Sequence, residues 1–224
     1  MVRKKRIWYP GATYHVMNRG NRRLSIFADS SDYLQFMDFV LKVKEKYPFK
    51  IHALCLMTNH YHLVIETGNI ELGVIMQRIS STYAENYNRR HNCTGHLFQG
   101  RYTACLINDE RYFLEVNRYI HLNPVKANMV QEPQDYLYSS YRLFANNASC
   151  NYKPRTEFEP LMNKVIETDR VLKSFDYDAK KYQSFVEDKS SHAEQESIIQ
   201  KDIKEDEFWL PMGSDPIKGE SDAP

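Results

Sequence analysis

The sequence predicts an α+β domain with a ferredoxin-like, split βαβ fold: a four-stranded antiparallel sheet with helices, followed by one further helix. Two observations predict it. Short apolar runs and longer amphipathic segments alternate in the order β-α-β-β-α-β-α. Turn-forming residues separate these segments, and no apolar run reaches the ~18 residues that a membrane span requires.

The first predicted strand covers residues 13–17 and leads into a loop, 18–23, that holds three arginines. Apolar residues at helical spacing come next. They predict a helix that Ser31 or Asp32 caps and that ends before Pro48.

Two apolar runs, 51–57 and 61–65, predict a hairpin with its turn at 58–59. An amphipathic helix follows from residue 70 to about residue 88. The fourth strand, 102–107, comes after a glycine-bounded loop.

The seventh element is a helix for which Asn108 or Asp109 is the predicted N-cap. We expect it to end near Leu122, because Pro124 follows. Its predicted core face carries three apolar residues: Phe113, Val116 and Ile120.

Charge and composition divide the chain into three parts. We predict a domain over residues 1–145, a helical extension over 146–187 and an acidic, flexible tail over 188–224. Residues 1–130 carry a net charge of +8, and residues 131–224 carry −7. This asymmetry predicts nucleic acid as the partner of the basic half.

The chain has four cysteines and no C-x-x-C pair: Cys55, Cys93, Cys105 and Cys150. This pattern argues against a disulfide scaffold or a zinc ribbon and fits a reducing compartment. We therefore expect a cytoplasmic protein without a membrane partner.

His60-Tyr61-His62 is the first feature that suggests chemistry. On a strand, residues i and i+2 point to the same face, so both imidazoles would stand side by side at a spacing that suits one divalent ion. Tyr61 and Leu63 would point to the opposite face. Taken alone, the pair is also compatible with two polar residues on a solvated sheet face.

Tyr119 and Asn123 are the second feature. They lie one helical turn apart on the last helix, so a hydroxyl nucleophile and an amide oxygen would reach the same place. Taken alone, they are also compatible with a half-buried tyrosine and a helix-ending Asn-Pro pair.

Together the two features suggest a strand-transfer site. Two imidazoles and an amide oxygen leave positions free on Mg²⁺ or Mn²⁺ for water and a scissile phosphate. Attack by Tyr119 would store the phosphodiester energy in a phosphotyrosine, so that a strand is rejoined without ATP.

Four sequence blocks resemble the REP-associated tyrosine transposases, which belong to the HUH single-tyrosine transposases. The resemblance covers about residues 6–145 and rests on the following blocks, in this order: Pro10 to Val16 with Asn18 to Arg23, Leu54 to Glu66, Gly95 to Tyr102, and Arg118 to Val125.

The resemblance implies a role for each matching residue. His60 and His62 match the metal-binding histidines, and Asn123 matches the polar third ligand. Tyr119 matches the nucleophile that forms a 5′-phosphotyrosine link to single-stranded DNA. The implied substrate is DNA beside short palindromic hairpins, in the bacterial cytoplasm at the nucleoid, and the implied state is a monomer or a homodimer.

Basic and aromatic residues in the loops and at the N-terminus are candidate nucleic-acid contacts. The candidates are Arg3, Lys4, Lys5, Arg6, Arg19, Arg22, Arg23, Phe98, Arg101 and Tyr102. For any single arginine, a solvated charged loop is an equal alternative. His15, His52 and His121 are interpreted as packing or surface residues.

Two other functions stay open. The chain could be a domesticated module that binds structured DNA or RNA without cutting it, which predicts no covalent adduct. It could also be a metal phosphodiesterase that uses water, which predicts activity that survives Tyr119→Phe.

Overall fold

The computed structural model describes residues 6–145, 156–188 and 193–208. Its strands are β1 (Thr13–Arg19), β2 (Phe49–Leu56), β3 (His60–Thr67) and β4 (Thr103–Ile107). They form one antiparallel sheet in the order β2-β3-β1-β4, which confirms the predicted α+β fold.

The helices are α1 (Ser30–Lys46), α2 (Leu72–Arg90), α3 (Glu110–Lys126), α4 (Tyr141–Ala145), α5 (Phe158–Val165), α6 (Asp169–Lys173), α7 (Ala179–Glu187) and α8 (Ala193–Phe208). Short 3-10 turns lie at Asn21–Arg23 and Pro133–Asp135. Over the described parts of the chain, none of these helices has the length and apolarity needed to cross a membrane.

Helices α1 and α2 cover one face of the sheet through aromatic packing. The Phe36 ring lies 5.1 Å from the Tyr61 ring and 5.1 Å from the Tyr83 ring, between centroids. Tyr61 and Leu63 are fully buried on this side, as predicted. Burial of a large apolar side chain stabilises a fold by roughly 1.5–3 kcal/mol, so this layer fixes which face of β3 points inward.

Helix α1 begins earlier than predicted, because Asp29 is its N-cap. The Asp29 carboxylate accepts hydrogen bonds from the N–H groups of Ser31 (2.9 Å) and Asp32 (3.3 Å). The Asp32 carboxylate in turn accepts from the Asp29 N–H, which completes a capping box. The predicted caps, Ser31 or Asp32, are wrong because both residues already lie in the first turn.

Helix α3 packs on the other face of the sheet and extends beyond its predicted end. Asp109 caps it by accepting from the Tyr112 N–H (2.8 Å), as one of the two predicted caps. Pro124 lies inside the helix, which ends at Lys126, so the predicted end near Leu122 is wrong. Proline lacks only its own N–H, and the Ala127 N–H still donates to the Asn123 carbonyl at 2.9 Å.

Helices α5, α6 and α7 lie in the segment predicted to be a helical extension. Helix α5 packs against α1, and α7 packs against α3 and α4. Their buried side chains include Val165, Val171 and Tyr182. The boundaries after residues 145 and 187 stay a prediction.

Helix α8 lies in the segment predicted to be a flexible tail, and for residues 193–208 that prediction is wrong. The helix packs against β4 and α3. Ile199 and Ile203 lie four residues apart, so they share one face of the helix, and both are buried. Residues 209–224 of this segment lie outside the described residues.

His121 joins α3 to the C-terminal helices. Its Nδ1 lies 2.7 Å from the Tyr182 hydroxyl, and its Nε2 lies 2.8 Å from Ser140 Oγ. Burial lowers the pKa of His121 from 6.5 to about 3, so the ring is neutral at physiological pH. This confirms the interpretation of His121 as a packing residue.

His121→Gln should reduce the acid sensitivity of the fold. The pKa of His121 is lower in the folded state than in the unfolded state. The stability that the neutral, buried ring contributes is therefore complete above pH 6.5 and is lost as the pH falls from 6.5 towards 3. We expect the variant to lose about 1–3 kcal/mol of unfolding free energy at pH 7.5, because hydrogen bonds are disturbed. Its further loss between pH 7.5 and 5.0 should be smaller than that of the wild type by about 2 kcal/mol.

Urea unfolding at both pH values measures this difference. Tyr182→Phe is the matched control, because it removes one hydrogen bond and leaves His121 buried, so its stability loss should be the same at both pH values. A pH dependence in His121→Gln equal to that of the wild type would contradict the assignment.

Candidate active-site cleft

A cleft of about 360 Å³ lies where β1 ends and β3 begins, with α3 and α8 as its other walls. The four residues predicted to carry the chemistry all line it: His60, His62, Tyr119 and Asn123. The other lining residues are Met17, Arg19, Arg23, Asn59, Gln200, Ile203 and Lys204. The structure therefore brings together four side chains of which the outermost two, His60 and Asn123, are 63 positions apart in the sequence.

His60 and His62 share one face of β3, with their ring centroids 5.1 Å apart. Burial, and to a smaller extent the charge of Arg19, lowers the pKa of His60 to about 4. Burial also lowers the pKa of His62 well below its ordinary value, with contributions from His60 and His15. Both rings are thus neutral at physiological pH, which is the form that binds metals.

The Nδ1 atom of each ring already has a partner inside the protein. His60 Nδ1 lies 2.7 Å from Asn59 Oδ1, and the Asn59 amide is oriented by its own bond to the Arg23 carbonyl (3.2 Å). His62 Nδ1 lies 3.0 Å from His15 Nε2. Each ring therefore keeps Nε2 as the nitrogen that can bind a ligand in the cleft.

His15 is buried, in agreement with its interpretation as a packing residue, but the sequence did not reveal that it contacts His62. It lies diagonally across the β1–β3 pair from His62, since Met17 is directly opposite His62. Only the register between the two strands identifies this neighbour. If that register had been known, the position of His15 two residues before Met17 would have identified it as a neighbour of His62.

Tyr119 stands over the histidines from α3. Its ring centroid lies 5.8 Å from that of His62 and 5.9 Å from that of His15. Burial, followed by the charge of Glu196, raises the pKa of Tyr119, whereas Asn123 opposes this shift. In the structure described, Tyr119 is therefore a phenol at neutral pH, and its activation requires positive charge nearby.

The polar side chains of the cleft fit a divalent metal ion. Asn123 uses its amide nitrogen to donate to the Tyr119 carbonyl at 3.0 Å, so its Oδ1 is the atom left for a metal. Across residues 6–145, 156–188 and 193–208, no three His, Cys, Asp or Glu residues cluster closely enough to hold a metal. Two imidazole nitrogens and one amide oxygen would thus form the donor set, which suits Mn²⁺ at least as well as Mg²⁺.

Two of the predicted nucleic-acid contacts line the cleft, namely Arg19 and Arg23. Arg19 Nε also donates to Gln99 Oε1 at 2.5 Å. Arg22 belongs to the same 3-10 turn as Arg23 but is not part of the cleft wall. Arg101 borders a smaller cavity beside Arg19.

The aromatic candidates are less available than the sequence suggested. Tyr102 is buried, and the Arg6 guanidinium lies over its ring at 4.5 Å from the centroid, so the expectation that Tyr102 stacks on a base is wrong. Arg6 also donates to the Tyr102 carbonyl at 3.0 Å. Phe98 is half-buried and packs edge-on against Tyr61 at 6.2 Å, and its role stays a prediction. Arg3, Lys4 and Lys5 lie outside the described residues.

The sequence also missed the contribution of α8 to the cleft. Gln200, Ile203 and Lys204 form part of the wall. Glu196 pairs with Lys126 of α3 at 2.6 Å, between Oε2 and Nζ. The signal was the pair of isoleucines four residues apart, which the acidic composition of the segment concealed.

Comparison with known proteins gives three similarities at the level of sequence. The family described as "Transposase IS200 like" matches residues 9–123. A REP-associated tyrosine transposase of Haemophilus influenzae is 26% identical over 123 residues, which are 50% of this chain and 70% of that protein. The REP-associated tyrosine transposase of Escherichia coli K12 is 23% identical over 145 residues, covering 63% of this chain and 83% of that protein.

One solved structure supports the same fold. It is described as a REP-associated tyrosine transposase bound to a REP hairpin, and it superimposes with a TM-score of 0.55 at 21% identity. The match covers 70% of this chain and 91% of that chain. The resemblance identified from the sequence is thereby confirmed. The family match spans β1 to Asn123 and half of the chain, so the chain belongs to the IS200-like transposases, an enzyme family that acts on DNA.

Proposed function

We propose that the chain nicks single-stranded DNA and rejoins it through a covalent 5′-phosphotyrosine at Tyr119. One observation carries the proposal: a hydroxyl nucleophile, two neutral imidazoles and an amide oxygen line the same cleft as two arginines. This combination suits phosphoryl transfer, in which catalysis depends on positioning and on neutralising negative charge.

His60, His62 and Asn123 would hold the metal, Mg²⁺ or Mn²⁺. When bound, the ion polarises the phosphoryl oxygens and offsets the charge that develops on them. His15 and Asn59 contact the Nδ1 atoms of the two rings, which leaves both Nε2 atoms available to hold the ion.

Tyr119 Oη attacks the phosphorus of the scissile phosphodiester. The bond from phosphorus to the 3′ oxygen breaks, the phenol gives up its proton, and the 3′ oxygen takes one up. The new ester retains the energy of the phosphodiester, so attack by a 3′-hydroxyl restores a strand and releases Tyr119. Arg19 and Arg23 would bind the flanking phosphates.

A DNA hairpin is the substrate that we propose. The solved structure with this fold is described as bound to a REP hairpin, and a palindromic stem would present a single-stranded flank to the cleft. The monomeric or homodimeric state and the location at the nucleoid stay predictions.

Tyr119→Phe should abolish the covalent adduct on labelled single-stranded hairpin DNA with Mn²⁺, because Tyr119 is the only hydroxyl-bearing residue among the described residues that line the cleft. His60→Ala should reduce adduct formation by about a hundredfold or more, since a bound metal contributes several kcal/mol to such reactions. A denaturing gel that retains protein–DNA bands measures both effects. Tyr177→Phe, at an exposed tyrosine outside the cleft, is the matched control and should form the adduct normally.

Each alternative has its own outcome in the same experiment. Cleavage that persists in Tyr119→Phe would identify a phosphodiesterase that uses water. Binding of the hairpin with neither cleavage nor adduct would identify a binding module.

Arg23→Gln should weaken single-stranded DNA binding more than Arg22→Gln does. The two residues lie in the same 3-10 turn and each carries one positive charge, but of the two only Arg23 lines the cleft. Loss of one phosphate contact should reduce the slope of log affinity against log salt by about 0.7. Titrations at several salt concentrations compare the two variants, and identical slopes would place Arg23 outside the DNA path.

A further inference from the structure

Lys126 lies beside Tyr119, the proposed nucleophile, and has no role in the reaction described above. It lies seven residues after Tyr119 on α3, which is two helical turns, so both side chains share one face. Its Nζ stands 5.1 Å from the centroid of the Tyr119 ring. Among the described residues, its ion-pair partner is Glu196 of α8, at 2.6 Å.

Tyr119 needs positive charge where negative charge develops, and a metal held by His60, His62 and Asn123 would supply it from the side of the sheet. Negative charge appears on the phosphoryl oxygens and on the tyrosine oxygen during attack. Lys126 Nζ lies over the Tyr119 ring, whereas His62 of β3 packs edge-on against the same ring. A Lys ammonium is a compact point charge that binds phosphate well.

Glu196 is chemically a substitute for a phosphate at this position. Its carboxylate carries one negative charge and accepts from the Lys126 ammonium. The two side chains are 34% and 28% exposed, so the pair is accessible to solvent and only weakly held. A DNA phosphate with the same charge can therefore replace the carboxylate.

We propose that Lys126 is a further catalytic residue, which binds the phosphate attacked by Tyr119. Until DNA is bound, Lys126 is paired with Glu196, and the DNA phosphate displaces the Glu196 carboxylate. This inference rests on the proposed tyrosine chemistry. It predicts opposite effects from the two members of one ion pair, which a merely structural pair would not produce.

The test compares Lys126→Met, Lys126→Arg and Glu196→Gln in the full chain, with saturating hairpin DNA and Mn²⁺. Lys126→Met should slow adduct formation by about a hundredfold, as for other losses of one group at a developing charge. Lys126→Arg should restore most of the rate, because it keeps the charge. Glu196→Gln should raise the rate by up to about fivefold, since it frees Lys126. Lys180→Met, at an exposed lysine on α7, is the control for the loss of one positive charge.

The double variant Lys126→Met/Glu196→Gln should stay as slow as Lys126→Met. Equal effects of Lys126→Met and Glu196→Gln, in the same direction, would show that the pair only anchors α8 and would overturn the inference. A wild-type rate in Lys126→Met would overturn it as well, while leaving the role of Tyr119 intact. Failure of the wild-type chain to form any adduct would overturn the proposed function and this inference together. Thermal unfolding of each variant confirms that the fold is retained.

Discussion

The register between β1 and β3 is the constraint on which the cleft depends. Arg19 pairs with His60 and Met17 pairs with His62. A slip of one residue in β3 would turn both histidines towards α1 and α2 and would turn Tyr61 into the cleft. Tyr61 and Leu63 are fully buried under α1 and α2, and each contributes roughly 1.5–3 kcal/mol of burial. The same apolar packing that forms the core therefore sets the direction of the imidazoles.

Helix α3 holds the nucleophile in a fixed orientation because three stripes of its surface contact different parts of the protein. Phe113, Val116 and Ile120 are fully buried in the core. His121 extends from another stripe to Ser140 and Tyr182. Tyr119 faces the cleft from the other side of the core stripe, because two positions along an α-helix place it about 200° from His121. Because the core stripe and His121 both fix the helix, rotation that would carry Tyr119 away from His62 would disrupt the core and a buried hydrogen-bond network at once.

The sequence predicts the parts of this site that local periodicity or loop composition determines, the latter including Arg19 and Arg23. His60 and His62 follow from the two-residue period of a strand, and Tyr119 with Asn123 follows from one turn of a helix. His15 could not be predicted, because its partner lies 47 positions away and is determined by strand pairing. The burial of Ile199 and Ile203 likewise depends on packing against β4 and α3, which the acidic composition of the segment does not reveal. The presence of Pro124 led to a predicted helix end that is too early, because a proline in the last turn removes only one backbone hydrogen bond.

Helix α8 is less firmly anchored than α3 and the strands that line the same cleft. In its described part, two isoleucines are buried, Asp202 accepts from the Tyr112 hydroxyl at 2.5 Å, and Glu196 holds Lys126. The last of these is a partly exposed ion pair, which contributes about 0–1 kcal/mol. By contrast, the strands and α3 are held by many fully buried side chains. Elements with few buried contacts open at a lower free energy than the core that they cover. Under the proposed reaction, displacement of Glu196 by DNA would therefore disturb α8 before it disturbed the sheet, the histidines or α3.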